Sequence, residues 1–351
     1  LYTRVTMRNK SIVITLALVA SIFTSHPATA SEDVVGAGSS FISNYLDACR
    51  ISYAKETGNT ITYSSLGSGA GRSQLNNKII DFAGTDTPYN PGEAKPSGIV
   101  YVPFIAGPIG VIYRLDGYSK PIQLKKETLA NIFAGKITKW NHKSIIADNT
   151  IKGVKPKIPA TNIRIAYRAD GSGTSQIFTE YLNAVAPTIW TKAGNKDFKS
   201  AYPGTLSFSS QAGSGSHGVV MIARQMNGVI TYAESSFASG LKLALIENGA
   251  GKFTAPTSKA ASQFLSDFEP LANGLIKANY NNKNPLSYNV SAFSYIVAFK
   301  ESTPKNDAVR EFLSFSVNKC NKEAVATGYS PLVGPVLAIA KSKIAEVSSG
   351  E

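Results

Sequence analysis

The sequence predicts an α/β fold, and three observations carry that prediction. Short β-rich runs alternate with helical patterns along the chain. Two of the helical patterns have a single apolar face. Phe41, Ile42, Tyr45, Leu46 and Cys49 recur at i, i+1, i+4, i+5 and i+8, and Ile177, Phe178, Tyr181, Leu182 and Val185 repeat that spacing, as helices packed on a sheet do. Gly/Ser clusters stand where strand should hand over to helix.

Taken in order, residues 8–30 read as a secretory leader. Arg8 and Lys10 make a basic start, Ile12 to Phe23 a short apolar run, and Ala28-Thr29-Ala30 an A-x-A cleavage site. Met7 reads as the start of translation. The apolar run is shorter than the ~20 residues of a membrane span, and no cysteine follows it closely, so an exported chain without a lipid anchor is expected. Removing the leader leaves 321 of the 351 residues, enough for two domains at roughly 100–200 residues each. Strands are predicted at Asp33–Val35, Thr60–Tyr63, Val100–Phe104, Ile109–Tyr113, Ile163–Tyr167, Val229–Tyr232 and Tyr295–Phe299. Stretches rich in Gly, Pro and Asn at Pro88–Pro96, Thr150–Pro159 and Asn279–Pro285 read as surface connections.

The mature chain keeps 33 Lys and Arg against 23 Asp and Glu. Its lysines are dispersed rather than clustered, which favours a general attraction of anions over nucleic-acid binding. The only cysteines are Cys49 and Cys320. Cys49 falls on an apolar helix face, as a buried thiol would, and export leaves a bridge to Cys320 open. His142 and His217 are far apart and read as surface or packing residues, and no Cys/His cluster suggests zinc.

Three clusters share one context. Gly36–Phe41 (GAGSSF), Gly67–Arg72 (GSGAGR) and Gly171–Ser175 (GSGTS) each follow a predicted strand and precede a helical pattern. Unpaired backbone N–H groups and the positive dipole end at such mouths favour an anion. Ser40, Ser68, Ser172 and Thr174 add hydroxyls. Any single junction of this kind is more often a turn with an N-cap; three together with a nearby arginine point to a ligand. None matches a nucleotide P-loop or a dinucleotide fingerprint. Arg168 offers a guanidinium that fits an oxyanion bidentately, and Asp170 is placed to steady it. As a plain surface pair the two would contribute little.

Asp86, in Asp81–Asn90 (DFAGTDTPYN), looks misplaced in an anion site. It fits if the anion carries a proton. Phosphate at neutral pH retains an O–H that an ionised carboxylate can accept; sulfate has none and would meet unpaired negative charge. The plainer reading is a turn cap.

At these residues the chain resembles the periplasmic phosphate-binding proteins of phosphate-specific (Pst-type) ABC transporters. GAGSSF, Ser65–Leu75 (SLGSGAGRSQL), DFAGTDTP, Ile132–Asn141 (IFAGKITKWN), Tyr167–Leu182 (YRADGSGTSQIFTEYL) and Gly328–Leu332 (GYSPL) match that family in order, across essentially the whole mature chain. The resemblance implies a two-lobed type II fold with ligand in the cleft, lobes of 31–104 plus 287–351 and of 105–286, and crossings near Pro103–Pro108 and Pro285–Val290. It implies a phosphate site at Ser39, Ser40, the Phe41 backbone N–H, Ser68, Asp86, Arg168, Ser172, Gly173 and Thr174, with Asp170 behind Arg168. Ser40 stands where relatives often carry threonine. At Gly213–Val220 (GSGSHGVV), Ser216 and His217 replace the lysine, asparagine and acidic residue usual in relatives, a change expected to leave the anion ligands untouched. The resemblance further implies a monomer in the periplasm, with permease subunits as partner, no cofactor and no nucleic acid. A receptor for another oxyanion, such as sulfate or molybdate, is opposed by Asp86. A secreted phosphatase or serine hydrolase lacks a metal cluster, a G-x-S-x-G and a histidine partner for a serine.

Overall fold

The computed structural model describes Thr3 and residues 33–271 and 273–350. The expected leader at 8–30 lies outside them. Nine strands form one sheet: β1 (Val34–Gly38), β2 (Ile61–Ser65), β3 (Phe82–Thr85), β4 (Ile99–Tyr113), β5 (Arg164–Arg168), β6 (Gln211–Gly213), β7 (Val229–Glu234), β8 (Lys242–Leu243) and β9 (Ser291–Phe299). Their order is β2-β1-β3-β9-β4-β7-β5-β6, with β8 on β4. At one end β1 runs parallel to β2 and β3, and at the other β5 runs parallel to β6 and β7. Between them β9 and β4 run antiparallel to their neighbours. The inner parallel strands β1, β3, β5 and β7 are largely buried, while β2 and β6 at the two edges of the sheet are mostly exposed.

Each strand expected from sequence lies within or overlaps an observed one, with one correction. Val100–Phe104 and Ile109–Tyr113 are a single 15-residue strand, β4. Pro103 and Pro108 read as interruptions, since proline cannot donate to a ladder and is kept to edges and bulges. Here the ladder to β9 slips between Ser294 and Tyr295, which face Ile105 and Pro103, so Phe104 is the extra residue of a bulge. Pro108 pairs with Ser291 at the end of that ladder, and from Ile109 onward β4 pairs with β7 instead.

The two helical faces are α1 (Ser43–Thr57) and α3 (Gly173–Val185). Tyr45, Leu46, Cys49 and Tyr53 of α1 are buried, as are Ile177, Phe178, Tyr181 and Leu182 of α3. The second mouth opens α2 (Ser68–Asn76), and GSGSHGVV opens α4 (Gly215–Gln225). Near the C-terminus lies α5 (Pro304–Lys319), capped by the Thr303 side chain on the Asn306 N–H. Cys320, at its end, forms a disulfide with Cys49 of α1, with Cα atoms 5.5 Å apart. Of the two states left open, the bridge is the one found, and both residues are fully buried. No described helix is long and apolar enough to cross a membrane.

Candidate functional site

All three Gly/Ser mouths open at the C-terminal ends of parallel strands, where α/β sheets place ligands. β1 delivers Ser39, Ser40 and Phe41 to the start of α1, β2 leads to Ser68 at the start of α2, and β5 ends on Arg168 ahead of α3. Asp86 directly follows β3. Ser294 and Asp86, 208 positions apart in sequence, meet here. Ser39, Ser40, Ser68, Asp86, Arg168, Ser172 and Thr174 are each 4 % exposed or less.

Asp86 is the centre of the first side. Ser39 Oγ donates to its Oδ1 at 2.5 Å and Ser294 Oγ to the same oxygen at 2.7 Å. Thr174 Oγ1 donates to Oδ2 at 3.3 Å and Ser68 Oγ to Oδ2 at 3.5 Å. Burial pushes the Asp86 carboxyl above its ordinary value; the hydroxyls of Ser39 and Ser294, the Arg168 charge and Thr174 pull it partly back. Asp86 is thus a ringed, buried acceptor rather than an ordinary turn cap. Gly173 permits the ring to close: a Cβ there would stand 2.7 Å from Asp86 Cβ and 2.8 Å from Ser68 Oγ.

Arg168 is the centre of the second. Its Nε donates to Asp170 Oδ1 at 2.7 Å and its Nη2 to Oδ2, so the carboxylate grips one edge of the guanidinium. The Gly215 N–H, at the start of α4, donates to Asp170 Oδ1 at 2.9 Å. Burial raises the Asp170 carboxyl, but Arg168 and that N–H outweigh it and hold the group below its ordinary range. Among the described residues Nη1 reaches only Ser216 Oγ, at 3.4 Å. The Ser172 side chain caps α3 by accepting from the Ser175 N–H at 3.0 Å. That leaves the Gly173 and Thr174 amides as first-turn donors at the mouth.

The two sides touch directly. The Gly69 N–H donates to the Gly171 carbonyl at 2.8 Å, an approach that a side chain at Gly69 would crowd, since its Cβ would stand 3.1 Å from that carbonyl oxygen. Thr87 Oγ1 donates to Gln176 Oε1 at 3.1 Å, and Lys196 pairs with Glu93 at 3.1 Å. Ser40 and Ser216 hydroxyls lie 3.0 Å apart, and the Ser216 N–H donates to Ser40 Oγ at 3.0 Å. This corrects one expectation: Ser216 contacts two of the candidate ligands, Ser40 and Arg168. The correction follows from the start of α4 facing the mouth of α1, a pairing no local pattern encodes.

Sequence reasoning missed Ser294 and Glu234. Ser294 interrupts the buried apolar run of β9, and that interruption was the available signal. Glu234 ends β7, fully buried, accepting from Ser235 and Ser236. Burial pushes its carboxyl up to about 7 against the pull of those hydrogen bonds. Ser236 in turn accepts from Asn44 of α1 at 2.7 Å. Tyr329, from GYSPL, donates to the Phe41 carbonyl and packs edge-on against the Phe41 ring. His142 caps a short helix through Nδ1, and His217 is exposed.

The PBP superfamily domain matches residues 24–319. The chain is 31% identical over 329 residues to the phosphate-binding protein PstS of Haemophilus influenzae, covering 90% of this chain and 94% of that one. It is 30% identical to PstS of Xylella fastidiosa, over 87% of this chain and 82% of the other. A solved high-affinity periplasmic phosphate-binding protein with bound phosphate superimposes with a TM-score of 0.71 at 20% identity, covering 88% of this chain and 93% of its own.

Proposed function

The chain belongs to the Pst-type phosphate-binding proteins of the PBP superfamily, and from that premise we propose that it captures inorganic phosphate at the site of Asp86 and Arg168. It is a binding protein, not an enzyme, and has the two-lobed type II fold of its structural neighbours. The lobes we assign are 31–104 with 287–351 and 105–286, joined through β4 and the segment entering β9. Phosphate is held between them by Ser39, Ser40, the Phe41 N–H, Ser68 and Asp86 from one side and by Arg168, Ser172, Gly173 and Thr174 from the other. Asp170 aims Arg168. Groups drawn from both lobes make the closed state the one that binds best. A monomer delivering cargo to the permease subunits of an ABC importer from the periplasm, with no nucleic-acid partner, completes the reading.

The observation that carries it is Asp86. A buried carboxylate whose oxygens already collect four hydroxyls is a costly thing to place beside an anion. It repels a fully deprotonated tetrahedral anion and accepts a hydrogen bond from the O–H of protonated phosphate. Calorimetric titration of the mature chain with phosphate and with sulfate tests this. Tight phosphate binding with sulfate weaker by several powers of ten is expected; comparable affinities would refute the assignment.

A further inference from the structure

The positive charge is not spread evenly. Residues 105–286 carry 21 Lys and Arg against 10 Asp and Glu, while 31–104 and 287–351 together carry 12 against 13. The anion site uses only Arg168 of the excess. In register, Arg164 of β5 faces Val229 of β7, and Ile230 faces Tyr113 of β4. Those residues mark one end of this half-sheet, and Arg168, Glu234 and Ile109 mark the other. From the first end, away from the anion site, leave the loops that carry Lys120, Lys152, Lys155 and Lys157. All four are exposed, and none is ion-paired among the described residues.

A fixed apolar tip stands among them. Ile151 and Val154 exchange backbone hydrogen bonds of 3.2 and 2.9 Å around Lys152 and Gly153, whose φ values are 50° and 78°. That is a tight two-residue turn of the primed kind. It holds Ile151 59 % and Val154 72 % exposed. Together with Lys120, Lys155 and Lys157, the tip lines one open hollow of about 550 Å³.

Lysines alone would suit any polyanion. A protruding aliphatic pair does not pack on a phosphodiester backbone or on an acidic, hydrated protein face. Aliphatic side chains flanked by lysines match the boundary between acyl chains and anionic headgroups, where the tip enters the apolar layer and the lysine heads stay at the phosphates. We propose that this pole is a docking site for an anionic phospholipid bilayer, with Ile151 and Val154 inserted and Lys120, Lys152, Lys155 and Lys157 among the headgroups. The anion site, at the other end of the strands, takes no part.

Co-sedimentation of the mature chain with vesicles tests it. Vesicles of equal parts phosphatidylcholine and phosphatidylglycerol should pellet the protein at low salt, and phosphatidylcholine alone should not. Lys152→Glu/Lys155→Glu/Lys157→Glu should weaken binding by more than tenfold, since each lysine at the surface contributes roughly fivefold. Ile151→Ser/Val154→Ser leaves the charge unchanged and should still weaken it by about tenfold, through lost apolar burial. All variants should titrate normally with phosphate, which reports an intact fold. No pelleting, equal pelleting with neutral vesicles, or a serine variant that binds like wild type would overturn the proposal; the last would make the lysines a general polyanion surface with an idle tip.

Discussion

Arg72 and Arg168 both sit beside a Gly/Ser mouth, and both are essentially buried, at 0 % and 2 % exposure. Both are paired with a carboxylate, Glu93 for one and Asp170 for the other. They differ in what the far edge of the guanidinium meets. Nη1 of Arg72 is taken up by Thr85 Oγ1 at 2.9 Å and the Thr87 carbonyl at 3.1 Å, and its face lies over the Tyr89 ring. Nη1 of Arg168 has, among the described residues, only Ser216, at 3.4 Å. A guanidinium satisfied on every edge is a brace for the loop around Asp86. One gripped on a single edge is aimed and keeps donors to spare, which suits the phosphate-binding role proposed for it.

The comparison breaks most sharply under paired substitution. Arg168→Ala should cost about 2–5 kcal/mol of phosphate binding, from the lost charge-assisted bonds to a buried anion, while thermal unfolding stays cooperative. Arg72→Ala should do the reverse. Removing the buried guanidinium from Glu93, Thr85 and Thr87 should destabilise by about 3–5 kcal/mol, with phosphate affinity of the folded protein within about tenfold of wild type. If calorimetry finds the two substitutions equally damaging to binding, the distinction between brace and ligand fails.

Asp86→Asn comes next. The amide can turn its N–H₂ toward the anion, so sulfate should gain on phosphate by at least about tenfold in a competition series. An unmoved ratio would return Asp86 to a purely structural role.

Acidity separates the two carboxylates that flank the site. Asp170 is held below its ordinary range, so its stabilising effect is complete above the unfolded value and disappears as pH falls through the lower folded one. Asp86 is raised, so ligand-free stability declines as pH climbs from the unfolded value through the higher folded one. Once protonated, Asp86 can donate to sulfate. Sulfate binding should therefore strengthen in acid in the wild type, by up to about tenfold per pH unit, and lose that slope in Asp86→Asn. Titrations at a series of pH values decide it.

Lys196→Ala should have the smallest effect. Its pair with Glu93 bridges the two sides of the site, but the lysine is 33% exposed, and such pairs contribute about 0–1 kcal/mol. A larger fall in phosphate affinity would make this pair a latch.

Much of this was legible beforehand because it is local. Strand-to-helix junctions announce themselves through glycine, hydroxyls and the change of period, so three mouths and Arg168 could be placed. Asp86 needed a chemical argument about protons, and resemblance assembled the set. Ser294 could not be placed that way. It reaches Asp86 only because β9 lies beside β3, and pairing between strands some 200 positions apart leaves no local trace. Arg72 and Arg168 were indistinguishable for the same reason: whether a cation has donors to spare depends on Thr85 and Thr87 arriving from another strand. The single long β4 was hidden by its own prolines, because a bulge and a change of partner are properties of the sheet.

The place of β9 has a consequence for how the chain comes into being. It lies between β3 and β4, although those two strands are finished by position 113 and β9 begins only at 291. A polypeptide emerging from its N-terminus presents β1 to β3 with an open edge until β9 is made. The wedge that closes the sheet arrives late, and it brings Ser294 to Asp86. Cys320 follows to meet Cys49. The last residues delivered are therefore those that complete the receptor, and a chain cut short before β9 should expose an unpaired strand edge of the kind that recruits other chains.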